Sequence, residues 1–203
     1  MSFKSCFDKS VALSATLVLS PLLAIIAVAI KLEDGGPVFF KQERIGKRGE
    51  PFICFKFRTM REGAEELLQK WEKEQHPNWR KYVDSNFKLK QDPRVTRIGA
   101  LLRVTSFDEL AQLINIIRGE MSLVGPRPLL GREIEAYGST RFDCYCQMVP
   151  GLTGLWQVSG RSDTTFDMRA KLDMDYYDKK SFKLDLTLMV KTFKVLFRKS
   201  GAY

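Results

Sequence analysis

The longest apolar stretch of the chain lies near its N-terminus, where residues 10 to 30 carry no charged side chain. About twenty such residues form a helix of about 30 Å, which is long enough to cross the hydrocarbon core of a bilayer. Pro21 removes a backbone donor there and clashes with the carbonyl four residues earlier. The hydroxyl of Ser20 can bond the backbone one turn back. The pattern therefore predicts a membrane helix over residues 1–32, broken by a bend at Ser20 and Pro21.

Three topologies fit this apolar helix: a cleaved signal peptide, a single span, and a re-entrant helix that enters and leaves on one face. The run leads into Lys31 without a small-residue cleavage site, which disfavours a signal peptide. The first nine residues carry a net charge of +1, and the residues after Ile30 carry +8. Positive segments resist export from the cytoplasm, so positive charge on both sides favours the re-entrant helix.

The next patterned segment predicts a small β-hairpin. Two β-rich runs, 38–42 and 51–58, flank the turn signal "IGKRGE". In the second run, Lys56 and Arg58 alternate with two phenylalanines. Residues 62 to 83 are highly charged and predict a helical, solvated excursion without chemistry.

A second helix is predicted from the stretch "SFDELAQLINIIRG". Ser106 followed three residues later by Glu109 is a capping-box signature, and four apolar residues from Leu110 onwards fall on one helical stripe. Gly119 then ends the helix. The pattern predicts a helix that begins near Ser106 and places Asp108 and Glu109 in its first turn.

The C-terminal segment predicts a basic amphipathic helix. Its apolar stripe comprises Leu186, Met189, Val190, Phe193, Leu196 and Phe197, and its cations are Lys183, Lys191, Lys194, Arg198 and Lys199. Such a helix either lies in a membrane interface or caps a soluble core, and the N-terminal membrane helix favours the interface. Before it, residues 149–161 predict a glycine-punctuated loop and a short strand around Trp156.

These elements predict an α+β protein that is mostly helical. Amphipathic interfacial helices and a small hairpin would pack on a cytoplasmic catalytic domain over residues 33–203, behind the membrane helix. The 203 residues suit one such domain, and the net charge of +9 suits an anionic partner such as a membrane surface, nucleic acid or a phosphorylated substrate. One histidine, His76, and a C-x-C pair disfavour a His-based triad and a zinc site. Catalysis would then rest on carboxylates, arginine and lysine.

The strongest candidate for chemistry is the pair Asp108 and Glu109. Acids at this position also offset a helix dipole, so a purely structural role is an alternative. Several arginines nearby in sequence favour phosphoryl chemistry, in which one carboxylate attacks phosphorus and the pair ligates a divalent ion. Arg127, between two prolines, and Arg161, after a glycine, are each either phosphate contacts or parts of turns.

A second acid pair follows the D-x-D pattern at Asp173 and Asp175. That spacing binds metal in many nucleotide-sugar enzymes, although it also arises often by chance. It supports a rival prediction, a glycosyltransferase that releases UDP. The net charge alone supports another rival, a non-enzymatic basic protein that binds membranes or nucleic acid.

Several motifs in order resemble the bacterial sugar transferase family, the monotopic polyprenyl-phosphate phosphoglycosyl transferases. They are "SP" in the apolar run, "QERIGKRGEPFICFKFRTM", "DPRVTRIGALLRVTSFDELAQLINIIRGEMSLVGPRP", "VPGLTGLWQVSGR" and "LD" at 172–173. The tail ending "GAY" is most similar to the branch of undecaprenyl-phosphate hexose-1-phosphate transferases. The resemblance covers nearly the whole chain. Two departures are the length of 62–92 and "KKS" at 179–181, where many members have Asn-Trp-Ser.

The resemblance implies a re-entrant helix and an active site at the cytoplasmic face of the bacterial inner membrane. It also implies Mg²⁺ and a two-step transfer of sugar-1-phosphate from a UDP-sugar to polyprenyl phosphate, with release of UMP. The glycan would be an O-antigen, a capsule or an exopolysaccharide. Expected partners are these two substrates and membrane lipids but no nucleic acid, and a homo-oligomer is left open.

The same resemblance implies roles for individual residues. Asp108 would be the nucleophile and Glu109 its partner, both near the metal. Substrate contacts would come from Arg58, Arg127, Arg161 and Asp173. The absence of further membrane helices in this chain is read as a short natural form or a catalytic fragment.

Overall fold

The structure, a computed structural model, describes residues 2–84, 89, 91–159 and 165–197. Within them, the α-helices are α1 (Phe3–Asp34), α2 (Ala64–Lys73), α3 (Pro77–Asp84), α4 (Arg97–Thr105), α5 (Leu113–Arg118), α6 (Ile134–Tyr137), α7 (Ser139–Cys146), α8 (Leu155–Val158), α9 (Phe166–Lys179) and α10 (Phe182–Phe197). The strands are β1 (Phe39–Ile45), β2 (Pro51–Phe57), β3 (Ser122–Val124) and β4 (Gly151–Thr153), and short 3₁₀ helices cover Lys47–Gly49, Phe107–Gln112 and Gly131–Glu133. The predicted fold class, α+β and mostly helical, is confirmed.

Helix α1 runs unbroken through Pro21. The Ser20 hydroxyl donates to the carbonyl of Leu17 at 2.8 Å, which is the carbonyl that a residue with a backbone N–H at position 21 would bond. The expected hydrogen bond of Ser20 is therefore present, whereas the bend at Ser20 and Pro21 stays a prediction. Among the described residues, α1 alone is long and apolar enough to cross a membrane. The re-entrant topology and the division of the chain at residue 32 stay predictions.

Both ends of α1 contact the rest of the protein through polar groups. Near the N-terminus, Lys4 pairs with Asp185 of α10, and the carboxylate of Asp8 accepts from the Ser122 hydroxyl at 2.5 Å. Near the C-terminus, the carboxylate of Glu33 accepts from the backbone N–H of Arg97 at 2.7 Å and so caps α4. The outward face of α1 remains apolar and exposed, with Leu13, Leu17, Val18, Ile25, Val28 and Leu32.

Strands β1 and β2 form the predicted antiparallel hairpin, paired from Phe39 opposite Phe57 to Ile45 opposite Pro51. Asn115 of α5 holds the edge of β2, because its side chain accepts from the Phe55 N–H at 3.0 Å and donates to the Ile53 carbonyl. The hairpin is thus fixed against the segment that carries the two candidate acids.

Strands β3 and β4 form a short parallel pair under the main core, with Ser122 opposite Gly151 and Val124 opposite Thr153. Gly125 follows β3, and a Cβ there would lie 2.3 Å from the Val149 carbonyl oxygen. Only glycine permits this approach of two backbones, which sets the start of the "GPRP" turn.

A helical segment begins directly after Ser106 with Asp108 and Glu109 in its first turn, as predicted, but it is a 3₁₀ helix and the predicted capping box is wrong. Ser106 has φ 58° and ψ 21°, ends α4, and makes no side-chain cap to the following 3₁₀ helix. A left-handed residue lacks the extended backbone that lets an N-cap side chain reach forward, so the capping box does not form. The α-helical part, α5, begins only at Leu113, after the 3₁₀ helix.

Helix α10 is amphipathic in a different way from the prediction. Leu188, outside the predicted stripe, is fully buried, whereas Leu186, Val190 and Phe193 of the stripe are exposed. The helix therefore both covers the core and presents an unpartnered apolar face among the described residues. Leu196, Phe197, Arg198 and Lys199 lie outside the part of the chain whose side chains are described.

The excursion over residues 62–84 is helical, as predicted, and consists of α2 and α3. Its base is tied to the protein by the buried Arg94, whose guanidinium carbon lies 5.5 Å from the Trp71 ring centroid and 5.0 Å from that of Tyr82. The excursion is not remote from the cavity described next, because residues 63–66 line its rim.

Candidate active site

A cavity of about 850 Å³ opens between α1, α10 and the hairpin. One end is polar and includes Lys56, Arg58, Arg103, Asp108, Glu109 and Arg127. The other end is apolar and includes Val11, Ala15, Leu19, Leu123, Met189 and Phe193. A ligand in this one cavity could therefore contact both charged and apolar side chains.

Lys56 brings the two candidate acids together at the polar end. Its Nζ lies 2.9 Å from Glu109 Oε1 and 3.6 Å from Asp108 Oδ2. The side chain of Asp108 is 14% exposed and that of Glu109 30%. Arg127 Nη1 lies 3.9 Å from Glu109 Oε1 on the other side. Two carboxylates and two cations thus meet at one point of the cavity wall.

Burial dominates the electrostatics of Asp108. It raises the pKa of the carboxyl above its ordinary value, the charge of Glu109 raises it further, and the ammonium of Lys56 opposes both. The local helix is a 3₁₀ helix of only six residues. Lys56, with a smaller contribution from Arg103, favours the carboxylate form of Asp108.

The backbone around Asp108 is set by close packing of α4 on the end of the hairpin. A Cβ on Gly99 would lie 2.0 Å from the Thr59 carbonyl oxygen, so α4 approaches to backbone contact. Arg103 follows one turn later and donates from Nε to the Thr59 hydroxyl at 3.0 Å. The left-handed Ser106 then turns the chain so that Asp108 faces the cavity rather than solvent.

Arg58 lines the cavity but is held by protein groups. It pairs with Asp34, and its guanidinium donates to the carbonyls of Pro37 at 2.6 Å and Met60 at 3.2 Å. These contacts link the end of α1 to the end of β2. A substrate contact by Arg58 stays a prediction.

Arg127 is the best placed of the predicted anion contacts. The "GPRP" turn presents its half-buried guanidinium to the cavity, with Cζ 5.5 Å from the centroid of the Trp156 ring. The carbonyl of Pro128 accepts from Arg44 at 3.1 Å and holds the far side of the turn. Arg161 lies outside the described residues, so its predicted role stays a prediction.

The structure does not bring Asp173 to the cavity. Its carboxyl is 1% exposed, accepts from the Tyr137 hydroxyl at 3.0 Å, and has its pKa raised to about 7 by burial. Asp175 is exposed on another face of α9 and pairs with Lys179 at 3.7 Å. The D-x-D pattern therefore does not form one metal-binding pair.

The sequence patterns give no chemical role to Lys56, whereas Arg103 is one of the arginines near Asp108 that favour phosphoryl chemistry. The structure places both at the polar end. The alternation of Lys56 with phenylalanines in β2 already showed a charge on one face of a half-buried strand. The pattern did not show which residues this face contacts. The partner of Lys56 is Glu109, which lies 53 positions later in the chain.

The donors at the polar end suit a divalent ion in part. No group of three or more His, Cys, Asp or Glu side chains that could hold a metal occurs in the described ranges. Mg²⁺, however, is commonly bound by one or two carboxylates together with substrate phosphates. Asp108 and Glu109 are two such carboxylates, and the remaining ligands of the ion would come from the substrate phosphates and water.

The chain matches the bacterial sugar transferase family over residues 1–199. It is 44% identical over 203 residues to the exopolysaccharide production protein ExoY of Rhizobium meliloti, covering 98% of this chain and 88% of the relative. It is 40% identical over 200 residues to the undecaprenyl-phosphate galactose phosphotransferase of Salmonella typhimurium, covering 98% of this chain and 41% of that protein.

A third relative is the UDP-glucose:undecaprenyl-phosphate glucose-1-phosphate transferase of Caulobacter vibrioides. It is 39% identical over 210 residues, covering 98% of this chain and 72% of the relative. Both the family match and these identities extend over nearly the whole chain. The protein is a sugar transferase and belongs to the bacterial sugar transferase family, as the sequence motifs predicted.

Proposed function

We propose that this protein transfers sugar-1-phosphate from a UDP-sugar to polyprenyl phosphate and releases UMP through a covalent intermediate on Asp108. One observation carries the proposal: the largely buried carboxylate of Asp108 lies beside Lys56 at the polar end of a cavity whose other end is apolar. A diphosphate fits the first end and a lipid phosphate with its chain fits both. The names of the relatives from Salmonella and Caulobacter support these two substrate classes.

In the first step, an oxygen of Asp108 attacks the phosphorus that bears the sugar. The bond from this phosphorus to the bridging oxygen breaks, and UMP leaves with that oxygen. In the second step, an oxygen of polyprenyl phosphate attacks the same phosphorus and releases the Asp108 carboxylate. Splitting the transfer lets the water-soluble donor product leave before the lipid reacts.

The cations of the polar end support this chemistry. Lys56 lowers the pKa of Asp108 and so favours the nucleophilic form. Arg103 and Arg127 line the space where the donor's phosphate oxygens would lie, and such charges stabilise a phosphoryl transition state in a partly dry site. Asp108 and Glu109 would hold Mg²⁺. That ion, when bound, would offset the charge of the diphosphate and the leaving group.

The apolar end supports a lipid acceptor. Helices α1 and α10 supply Leu19, Met189 and Phe193 to the cavity wall, within reach of the outward apolar face of α1. A phosphate at the carboxylates could therefore continue into a hydrocarbon chain without exposing it to water.

The contacts at both ends of α1 support a location on one membrane face, which we propose to be the cytoplasmic face of the bacterial inner membrane. Lys4 and Glu33, near opposite ends of the helix, each bind polar groups of the same globular domain. A single span would place one of these ends across the bilayer from its partner. The positive charge on both flanks agrees.

A topology experiment tests this placement. Cysteine replaces Phe3 in a variant whose four native cysteines are changed to serine, and intact cells receive an impermeant thiol reagent. The cysteine should stay unlabelled in the parent and become labelled after Ser20→Ala with Pro21→Ala, because the straightened helix can span. Labelling in the parent would exclude the re-entrant arrangement.

A partial reaction tests the covalent mechanism. Full-length protein in lipid nanodiscs receives a UDP-sugar without polyprenyl phosphate, and UMP and protein-bound sugar phosphate are measured. We expect at most one UMP per active site, with the label on Asp108. Asp108→Asn should acquire no label, and Glu109→Gln should be severely impaired in turnover. UMP that appears only with the lipid would contradict the intermediate.

The same assay separates the rival function. A D-x-D glycosyltransferase would release UDP, require Asp173 and Asp175, and leave sugar without phosphate on the acceptor. The separation of these two side chains on α9 gives it no support. A panel of UDP-sugars in this assay identifies the sugar that is transferred.

A further inference from the structure

Arg169 of α9 lies directly behind the corner of the cavity formed by Arg127 and Trp156. Its side chain is 6% exposed and does not line the cavity. Its Nη2 donates to the backbone carbonyl of Arg127 at 3.2 Å, and its Cζ lies 5.4 Å from the Trp156 ring centroid. Arg169 thus contacts both groups that border the polar end without reaching the ligand space itself.

Two guanidinium groups therefore lie over one aromatic ring, since Arg127 Cζ is 5.5 Å from the same centroid. The charge of Arg169 is offset inside the protein, where Glu133 Oε2 lies 3.5 Å from its Nη1. The carboxyl of Asp173, held by Tyr137, lies in the field of Arg169 one turn further along α9.

Arg127 has a different counter-charge. Its Nη1 faces Glu109 at 3.9 Å, at the rim of the cavity, and its side chain is 31% exposed. The two arginines therefore have different surroundings. The charge of Arg169 is offset by Glu133 in the interior, and the guanidinium of Arg127 faces the cavity. The Arg127 guanidinium can face the cavity only while the turn between Pro126 and Pro128 keeps its position, and Arg169 contacts the backbone of that turn.

We infer that Arg169 is a positioning residue that holds the Arg127 turn and the Trp156 ring so that the Arg127 guanidinium meets the donor's diphosphate. The inference rests on the proposed function for the identity of the donor. Its physical basis is that a displacement of about 1 Å in a substrate-positioning group can cost on the order of a hundredfold in rate.

The test is a double-mutant cycle on full-length protein in nanodiscs. Arg169→Lys keeps the positive charge near Glu133 but loses the planar fork that bonds the Arg127 carbonyl beside the Trp156 ring. We expect kcat/KM for the UDP-sugar to fall about tenfold, mainly through a higher KM. Because Arg169 acts through Arg127, Arg127→Met with Arg169→Lys should lose no more than Arg127→Met alone.

Two further measurements keep the result clear. Lys171→Met, an exposed change on the same helix, is the matched control and should leave kcat/KM unchanged. UDP binding by calorimetry should weaken about tenfold in Arg169→Lys, and this readout does not depend on turnover. If Arg169→Lys melts early, Arg169→Gln assayed below both melting temperatures takes its place, with the same expectation for UDP.

Losses that multiply in the double variant, or unchanged KM and UDP affinity in Arg169→Lys, would overturn the inference. Failure of the parent to release UMP would overturn the proposed function instead. In that case a weaker UDP affinity of Arg169→Lys would still support the positioning role.

Discussion

The chain contains two acid pairs, and they differ in what surrounds them rather than in their own chemistry. Asp108 and Glu109 share Lys56 and face one cavity. Asp173 and Asp175 lie on separate faces of α9, one buried against Tyr137 and one exposed beside Lys179. Side chains two apart on an α-helix point about 200° from each other, so the second pair cannot converge without unwinding.

The contrast shows that two nearby acids form one site only when a third group, here Lys56, contacts both of them. Adjacent side chains in a 3₁₀ helix also diverge, by about 120°. Lys56 reaches both Asp108 and Glu109 because it comes from a different element, strand β2. The second pair has no such bridging cation within the described residues, and each acid is satisfied separately.

The largest expected effect separates the two pairs directly. Asp108→Asn keeps the shape and loses the charged oxygen, so turnover should fall by about 10⁴-fold or to background. UMP release from a UDP-sugar in the presence of polyprenyl phosphate measures it. Melting temperature serves as the control for folding. Turnover within tenfold of the parent would remove Asp108 from the role of nucleophile.

The bridging cation should have the next largest effect. Lys56→Met removes the charge that favours the Asp108 carboxylate and that contacts Glu109, and we expect a loss of about a hundredfold in kcat. Lys41→Met, an exposed lysine on the neighbouring strand, is the matched control and should keep parental kcat. Equal kcat in the two variants would contradict the bridging role.

Asp173, the buried acid of the second pair, should make the free energy of unfolding depend on pH. The pKa of Asp173 is about 7 in the folded protein, against an ordinary value of 3.8. The folded state therefore binds the proton more tightly, so this contribution to stability is full below about pH 4 and is lost as the pH rises to 7.

Asp173→Asn keeps an acceptor for Tyr137 and removes that loss. At pH 8 the variant should be more stable than the parent by at most about 4 kcal/mol, and the difference should vanish near pH 4. Denaturant unfolding of detergent-solubilised protein at both pH values measures it. A stability difference between variant and parent that is the same at both pH values would contradict the raised pKa of Asp173.

The smallest effect is expected at Asp175. Asp175→Asn breaks an exposed ion pair with Lys179, which is worth less than about 1 kcal/mol. Turnover should stay within twofold of the parent. A loss comparable to that of Asp108→Asn would restore the D-x-D function that the geometry does not support.

Local patterns in the sequence were enough for much of the fold. The hairpin, the helical excursion, the apolar helix with its Ser20 bond and the candidate acids all follow from periodicity or from motifs. The conformation of Ser106 did not, because a capping-box pattern does not reveal that Ser106 is already the left-handed end of α4. Burial of Leu188 likewise depends on which face of α10 packs against β3, and tertiary packing of this kind cannot be read from the local sequence pattern.

The site was predictable only as far as its motifs reached. Asp108, Glu109, Arg103 and Arg127 belong to the sequence patterns that favour phosphoryl chemistry and line one cavity, whereas Lys56 is recognised only when β2 is seen to meet the segment of the two acids. Asp173 belonged to a motif but lies behind the site. An acid at this position can make a buried hydrogen bond, as Asp173 does with Tyr137, or bind a ligand, and spacing in the sequence cannot separate the two.

The anchoring of α1 has a consequence for the order in which the protein is made. Lys4 and its partner Asp185 are 181 positions apart, so the partner leaves the ribosome long after the helix. At 5–20 residues per second the delay is about 10 to 40 seconds. During that interval Lys4 lacks this partner, and the contact between the two ends of the chain forms only after α10 has been synthesised.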